Sequence, residues 1–354
     1  MRLHFFPCMQ DFFTDSSSKL VEFQELIASP KRIVITTHQN PDGDAMGSSL
    51  GLAHFLSEKK HQVTVITPTD YPEFLRWLPS DGSTVINYES QQKDKAEELI
   101  ATADMIFCLD FSVLNRIKDM ENSVRNASAI KVLVDHHQQP ENFADFVYWH
   151  EHAAATCQLI YELIEKLGES HNISKQTAEC LYTGLITDTG SFRFDSTSKD
   201  VHRIAGELLE RGVNPNRVHR NLFESNQFSR LRLLGYALTE KMVHLPEYRV
   251  AYCSLSKEDL LNFNSNNGDT EGIVNFGLSI KDVVMSAIFI ERDGLVKISF
   301  RSVEDFSVSE LSRQNFEGGG HKNAAGGRSN QTLEETINKF LALLPNYKEA
   351  LLAI

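Results

Sequence analysis

The apolar positions in the first half of the chain follow two alternating rhythms. Short, β-rich runs predict buried strands: Arg32-Ile-Val-Ile-Thr-Thr37, Gln62-Val-Thr-Val-Ile66, Met105-Ile-Phe-Cys-Leu109 and Ile130-Lys-Val-Leu-Val134. Val147 to Trp149 predicts one more. Helical texture covers Ala45 to Lys60 and Ala96 to Ala103, then Ala153 to Thr187 with a break near Gly168–Ser174. Strand and helix in alternation predict βαβ units and a mostly parallel sheet flanked by helices.

From Val201 to Met242 the pattern is helical, interrupted at Gly212-Val-Asn-Pro215, and predicts a connector. The style then changes. Tyr248 to Cys253 predicts a strand, and Val283 to Glu291 and Leu295 to Arg301 flank the hairpin signal Arg292-Asp293-Gly294. Helices near Val308–Gln314 and Leu333–Leu344 complete a smaller α+β domain. The expected fold class is therefore α/β: a sheet domain over 1–200, a helical linker over 201–235 and an α+β domain over 236–354. A length of 354 residues suits two domains at about 100–200 residues each.

Composition narrows the function. Hydrophobic residues make up 41% and charged residues 23%, an ordinary globular mixture with apolar material for two cores. No apolar run approaches the roughly 20 residues that span a bilayer. Met1 to Ser18 is poor in positive charge and broken by Pro7, Gln10, Asp11 and Asp15, unlike a signal peptide. A cytoplasmic protein with no membrane partner is expected. Cys8, Cys108, Cys157, Cys180 and Cys253 form no CxxC pair, which argues against a disulfide framework or a thiolate zinc site and for small core residues. The net charge of −13 and the lack of a basic stripe argue against long duplex DNA as a partner. Composition does not decide whether the excess acid serves solubility or gathers around cations.

Three predicted strands end alike. Thr37 is followed by His38-Gln-Asn-Pro-Asp42-Gly-Asp44, Leu109 by Asp110, and Val134 by Asp135-His136-His137. Ligands of an open α/β sheet bind beyond the carboxyl ends of its strands, so these residues point into one crevice. Asp188 joins them where a helix gives way to a loop. Each piece alone has a plain reading: Asp42-Gly43 as a turn, Asp44 as a helix N-cap, a lone Asp as a solvated loop residue. Together they would repel unless a cation neutralised them. Carboxylate and imidazole without thiolate suit manganese or a related divalent ion. Two such ions about 3.5–4 Å apart, sharing a carboxylate, form a known arrangement for phosphoryl displacement.

His38-x-x-Pro-Asp42-x-Asp44, Asp110, Asp135-His136-His137 and Asp188 resemble the four ordered motifs of the DHH phosphoesterases. Gly318-Gly-Gly-His321-Lys-Asn-Ala324-Ala-Gly326 resembles the signature of the DHHA1 domain. The resemblance spans roughly residues 20 to 330, and the plain two-domain layout looks most like the nano-RNase/pAp-phosphatase type. It implies that His38 and Asp42 hold one ion, that Asp44, His136 and Asp188 hold the other, and that Asp110 bridges both. Manganese is the expected ion, with magnesium or cobalt as alternatives. His137 would lie near the phosphate as hydrogen-bond donor and general acid, and Asp135 would orient a histidine.

In the second domain, Gly318, Gly319 and Gly320 read either as a tight turn or as backbone close to a phosphate. His321, Lys322, Arg328 and Arg301 favour an anion site there. Arg193, in Ser191-Phe192-Arg193-Phe194, is a further candidate whose aromatic neighbours suit either core or a base. The resemblance implies that the first domain cuts while the second grips the substrate's end, with the linker permitting hinge closure. Expected substrates are short oligonucleotides of two to five residues and the bisphosphorylated nucleotide pAp. The rivals are cyclic or linear dinucleotides (c-di-AMP, pApA), RecJ-like attack on long single strands, a pyrophosphatase, and a non-catalytic nucleotide sensor. A homodimer is one open arrangement.

Overall fold

The apolar runs of the first half form a single sheet in a computed structural model, which describes residues 17–78, 85–266, 268–292 and 294–354. Its strands are β1 (Arg32–Thr37), β2 (Gln62–Thr67), β3 (Val85–Asn87), β4 (Met105–Leu109), β5 (Ile130–Asp135) and β6 (Phe146–Trp149). They run parallel in the order β3-β2-β1-β4-β5-β6. The helices of this unit are α1 (Ser17–Ile27), α2 (Gly43–Glu58), α3 (Lys93–Thr102), α4 (Glu121–Asn126), α5 (Thr156–Lys166), α6 (Lys175–Asp188), α7 (Lys199–Glu210) and α8 (Pro215–His219).

The runs are continuous because both faces of the sheet are covered. Ile33, Ile35, Phe107 and Val134 pack into one core with Phe23 of α1, Leu50 of α2, Ile160 of α5 and Leu181 of α6. Val34, Ile106, Cys108 and Leu133 alternate into the opposite core, with Ile100 of α3 and Val124 of α4. Strand β3 and helices α1 and α4 go beyond the expected elements. The first is only three residues long, too short to show a period.

Helices α2 and α6 approach through glycine. A Cβ at Gly47 would lie 2.6 Å from the Cys180 carbonyl oxygen, and one at Gly184 would lie 2.2 Å from Cys157 Sγ and 2.6 Å from Asp44 Oδ1. Absent side chains thus let the backbones meet and carry the two ends, Asp44 and Asp188, toward each other.

A division at Ser225/Asn226 separates this unit from a second. The second has β7 (Met242–Leu245), β8 (Val250–Leu255), β9 (Met285–Arg292), β10 (Leu295–Ser302), β11 (Gly319–His321) and β12 (Ala324–Ser329), in the order β11-β12-β10-β9-β8-β7. Among the described residues β8 and β9 pair in parallel and the other neighbours of this sheet pair antiparallel. Helices α9 (Phe228–Thr239), α10 (Lys257–Asn262), α11 (Ile273–Gly277), α12 (Val308–Asn315) and α13 (Leu333–Leu352) pack on it. The stretch 201–235, expected as a connector, divides between the units: Val201, Ile204, Leu208 and Val218 join the first core, and Leu233 joins Cys253 and Ile288 in the second.

Several boundaries differ from expectation. The strand expected from Tyr248 starts at Val250, because Pro246–Tyr248 makes a 3-10 turn closed by Arg249 at φ 57°. The last helix runs beyond Leu344, through Pro345, to Leu352. Gly319 and Gly320, read as turn or loop, belong to β11. Arg292 pairs with Leu295 at the expected hairpin, while Asp293 lies outside the described residues. Cys108, Cys157, Cys180 and Cys253 are buried free thiols. Cys8 and nearly all of Met1–Ser18 lie outside the described residues. Among the described residues no helix is long and apolar enough to cross a membrane.

Gly47→Ala forces a methyl against the Cys180 carbonyl. It should lower stability by about 1–3 kcal/mol, read as a reduced urea midpoint at constant slope. An unchanged midpoint contradicts the close α2–α6 crossing.

Candidate metal centre

Strand order reverses between β1 and β4, and the crevice beyond their carboxyl ends is where an open parallel sheet binds ligands. The register sets what lines it. Thr37 pairs with Leu109 and Leu109 with Val134, so the next residues, His38, Asp110 and Asp135, form a row across three strand ends. Asp110 leaves its strand at φ 65°, a conformation rare for residues with a Cβ, and donates its N–H to the Val134 carbonyl at 3.1 Å.

The helices supply the rest. Asp42 is the N-cap of α2: its Oδ1 accepts from the amides of Asp44 (3.0 Å) and Ala45 (3.1 Å). The capping role read for Asp44 therefore belongs to Asp42. Asp44, two residues on, accepts from Thr156 N at 2.6 Å and Cys157 N at 2.9 Å, the opening amides of α5. A carboxylate at a helix N-terminus meets unpaired amides and the positive end of the dipole. Asp188 is the last residue of α6.

These placements bring the sequence candidates together. Potential ligand atoms of His38, Asp42 and Asp110 lie within 4.8 Å of one another, as do those of Asp44, His136 and Asp188, and those of Asp110, Asp135 and His137. Asp110 faces two groups at once: Oδ2 is 3.4 Å from His38 Nε2, and Oδ1 is 3.4 Å from His136 Nε2. His136 Nε2 is also 3.4 Å from Asp188 Oδ2 and 3.8 Å from Asp44 Oδ2. Asp42 Oδ2, the oxygen not used for capping, is 3.8 Å from His38 Nε2.

The ring orientations suit metal binding. His38 Nδ1 is 2.8 Å from the Gln39 carbonyl and His136 Nδ1 is 3.0 Å from the Ala153 carbonyl. A carbonyl only accepts, so Nδ1 carries a proton in each, and Nε2 is the nitrogen that faces the carboxylates and would release its proton to bind an ion. His137 Nδ1 is 2.8 Å from Asp135 Oδ1, which places Asp135 as the orienting partner of His137.

The electrostatics show strain that a cation relieves. Burial and the charge of Asp110 push the Asp44 carboxyl up to about 7. Burial and the charges of Asp44 and Asp42 raise Asp188 well above the usual carboxylate range. Asp110 is held well below it, burial being outweighed by hydrogen bonds from His136 and His38 and the charge of His137. Burial disfavours charge on His136, but the Asp110 hydrogen bond and the charges of Asp188 and Asp44 win and raise it well above 6.5. Four carboxylates and two imidazoles without thiolate are a donor set for a hard or borderline divalent ion. Thr156 and Gly184 were not foreseen. Thr156 Oγ1 donates to Asp110 Oδ1 at 3.0 Å, and Gly184 leaves the space that Asp44 occupies. The weak signal for Thr156 was its place at the start of a helical pattern after three alanines.

In the second unit, Ala324 pairs with Arg301 on one side and His321 on the other, so all three share one face with the small residue in the middle. Arg301 Nη1 donates to the Phe300 carbonyl at 3.0 Å. Lys322 is paired with Asp305 and Arg328 with Glu317, so their own acids engage them. A Cβ at Gly318 would lie 2.1 Å from the Gly326 carbonyl oxygen and one at Gly320 2.6 Å from that of Ala324. These two glycines thus answer to the protein's own backbone, while Gly319 has open space. Arg193 is exposed, with Nε bonded to the Gly190 carbonyl at 2.7 Å.

A pH dependence follows. Asp44 holds its proton to about pH 7 when folded and to about pH 3.8 otherwise. Its contribution to stability is full below the lower value and lost as pH rises through the upper. A divalent ion must displace that proton and therefore binds better at higher pH. Saturating Mn²⁺ should raise Tm more at pH 8 than at pH 5.5. A Tm shift independent of pH contradicts this account.

Residues 32–185 match the DHH family, N-terminal domain, and residues 247–349 match the DHHA1 domain. A relative from Thermus thermophilus, named bifunctional oligoribonuclease and PAP phosphatase NrnA, is 31% identical over 294 residues, 83% of either chain. A Bacillus subtilis relative of the same name is 28% identical over 300 residues, 83% of this chain and 88% of its own. The crystal structure of an exopolyphosphatase-related protein from Bacteroides fragilis matches with a TM-score of 0.89 at 39% identity, over 95% of this chain and 98% of that one. With both domains matched and the identity extending over most of its length, the chain belongs to the DHH family, in the branch that carries a DHHA1 domain, and is a hydrolase of phosphoester bonds.

Proposed function

We propose that the chain hydrolyses short oligonucleotides to 5′-mononucleotides and removes the 3′-phosphate of pAp, in the cytoplasm, at a centre of two divalent ions. The observation that carries the reading is Asp110, whose two oxygens face two ligand groups. His38 and Asp42 would hold one ion, Asp44, His136 and Asp188 the other, with manganese favoured and magnesium or cobalt as alternatives. Bound there, the pair would neutralise phosphate charge and acidify a water for in-line attack.

The chain's own residues do the rest. Carbonyls of Gln39 and Ala153 fix the imidazole tautomers, and Thr156 fixes Asp110. Asp135 holds His137 through Nδ1, so the proton given to the leaving oxygen would be carried on Nε2. The names of the Thermus and Bacillus relatives support the substrate class. In the second unit, Arg301 and His321, on one face beside the open backbone of Gly319, are proposed to bind a terminal phosphate.

A product time-course with Mn²⁺ on pAp, pApA, c-di-AMP and a five-mer RNA tests the reading. Release of mononucleotides from the five-mer and of AMP from pAp is expected. A preference above about tenfold for c-di-AMP, at the scale that one specific contact supplies, would replace it with the dinucleotide reading. His321→Ala or Arg301→Ala should raise KM for the five-mer about tenfold or more, the worth of a hydrogen bond to a charged group. Unchanged kinetics remove that face from substrate binding.

A further inference from the structure

Beyond Asp188 the chain makes an unusual turn. Gly190, Ser191 and Phe192 take φ of 55°, 61° and 63° in succession. Left-handed backbone is rare for residues with a Cβ, and two in a row after a glycine persist only when their surroundings hold them. Here Ser191 N donates to the Ile186 carbonyl at 2.8 Å, and Arg193 N and Phe194 N donate to the Thr189 carbonyl at 2.8 and 3.0 Å. Phe192 N donates to Thr189 Oγ1 at 2.9 Å.

The turn sorts the two aromatic residues. Phe192 goes inward, its ring 6.2 Å from that of Tyr182 and 5.3 Å from that of His202. Phe194 stays outside at 45% exposure. Its ring is nonetheless backed: a Cβ at Gly190 would lie 2.6 Å from Cζ and 2.7 Å from Cε1, so the outer end of the ring rests where that side chain is missing. Scattered exposed apolar residues are ordinary. This one is fixed by a held turn and seated on a residue only two positions, at most about 7 Å of chain, from Asp188. Arg193, the preceding residue, donates from Nε to the Gly190 carbonyl at 2.7 Å, so the same glycine anchors both side chains.

We propose that Phe194 is the stacking platform for a nucleobase of the substrate whose phosphate lies at the Asp110–Asp188 centre. This rests on the reading of the site as a nucleotide phosphoesterase and adds how the base is engaged. Stacking on an aromatic ring is tolerant of sequence, because every base presents a π face. A platform of this kind suits an enzyme for short strands of any composition, and it would favour nucleotides over other phosphoesters.

The test compares kcat/KM for pApA and for its abasic counterpart, in which hydrogen replaces both bases, with Mn²⁺ present. Phe194→Ala should lower the pApA-to-abasic ratio about tenfold or more, and Phe194→Trp should keep it. Phe194→Leu retains apolar bulk over Gly190 but no π face, so it should behave as the alanine variant and guards against collapse of the turn. An active variant with an unaltered ratio overturns the platform alone. A wild-type protein that cleaves neither compound overturns the phosphoesterase reading and the platform with it.

Discussion

Mutual repulsion among Asp42, Asp44, Asp110 and Asp188 is the constraint around which the first unit is built. Brought together in low-dielectric surroundings, these carboxylates cannot all ionise without a counter-charge. Asp44 and Asp188 respond by holding protons, and Asp110 by drawing on His38, His136 and His137. Such a cluster is costly in a protein that binds nothing there. It becomes favourable once divalent cations share the site.

The scaffold keeps the acids from separating. Parallel register places His38, Asp110 and Asp135 side by side at the strand order reversal, and α5 clamps Asp44 with two amides. The glycines between α2 and α6 remove the side chains that would hold Asp44 and Asp188 apart. Asp42, Asp44 and Asp110 therefore each have a second, structural bond that holds them in place. Preorganisation of this sort lets ligands act at once on developing charge.

The strand-end part of this centre was legible because buried parallel strands announce themselves as continuous apolar runs, and polar residues just after them have one place to go. His38, Asp110 and Asp135 follow from that logic alone. What escaped were contacts with no pattern of their own. Backbone amides at Thr156 and Cys157 carry no sequence signal, and Gly47 and Gly184 look like weak helix residues until their partners are known. The exchange of capping from Asp44 to Asp42 is a shift of two residues that only the helix start resolves. In the second unit, Gly318 and Gly320 read as phosphate-binding backbone but first satisfy a close hairpin, leaving Gly319 as the open position. At the Phe192–Phe194 pair a left-handed turn sends one ring against the core and leaves the other exposed, a difference that the alternation of residues does not encode.

Whether one aspartate joins two ion sites is decided by anomalous diffraction from a crystal grown with Mn²⁺. Two peaks are expected, one among His38, Asp42 and Asp110 and the other among Asp44, Asp110, His136 and Asp188. Peaks elsewhere, or none within reach of Asp110, would contradict that arrangement.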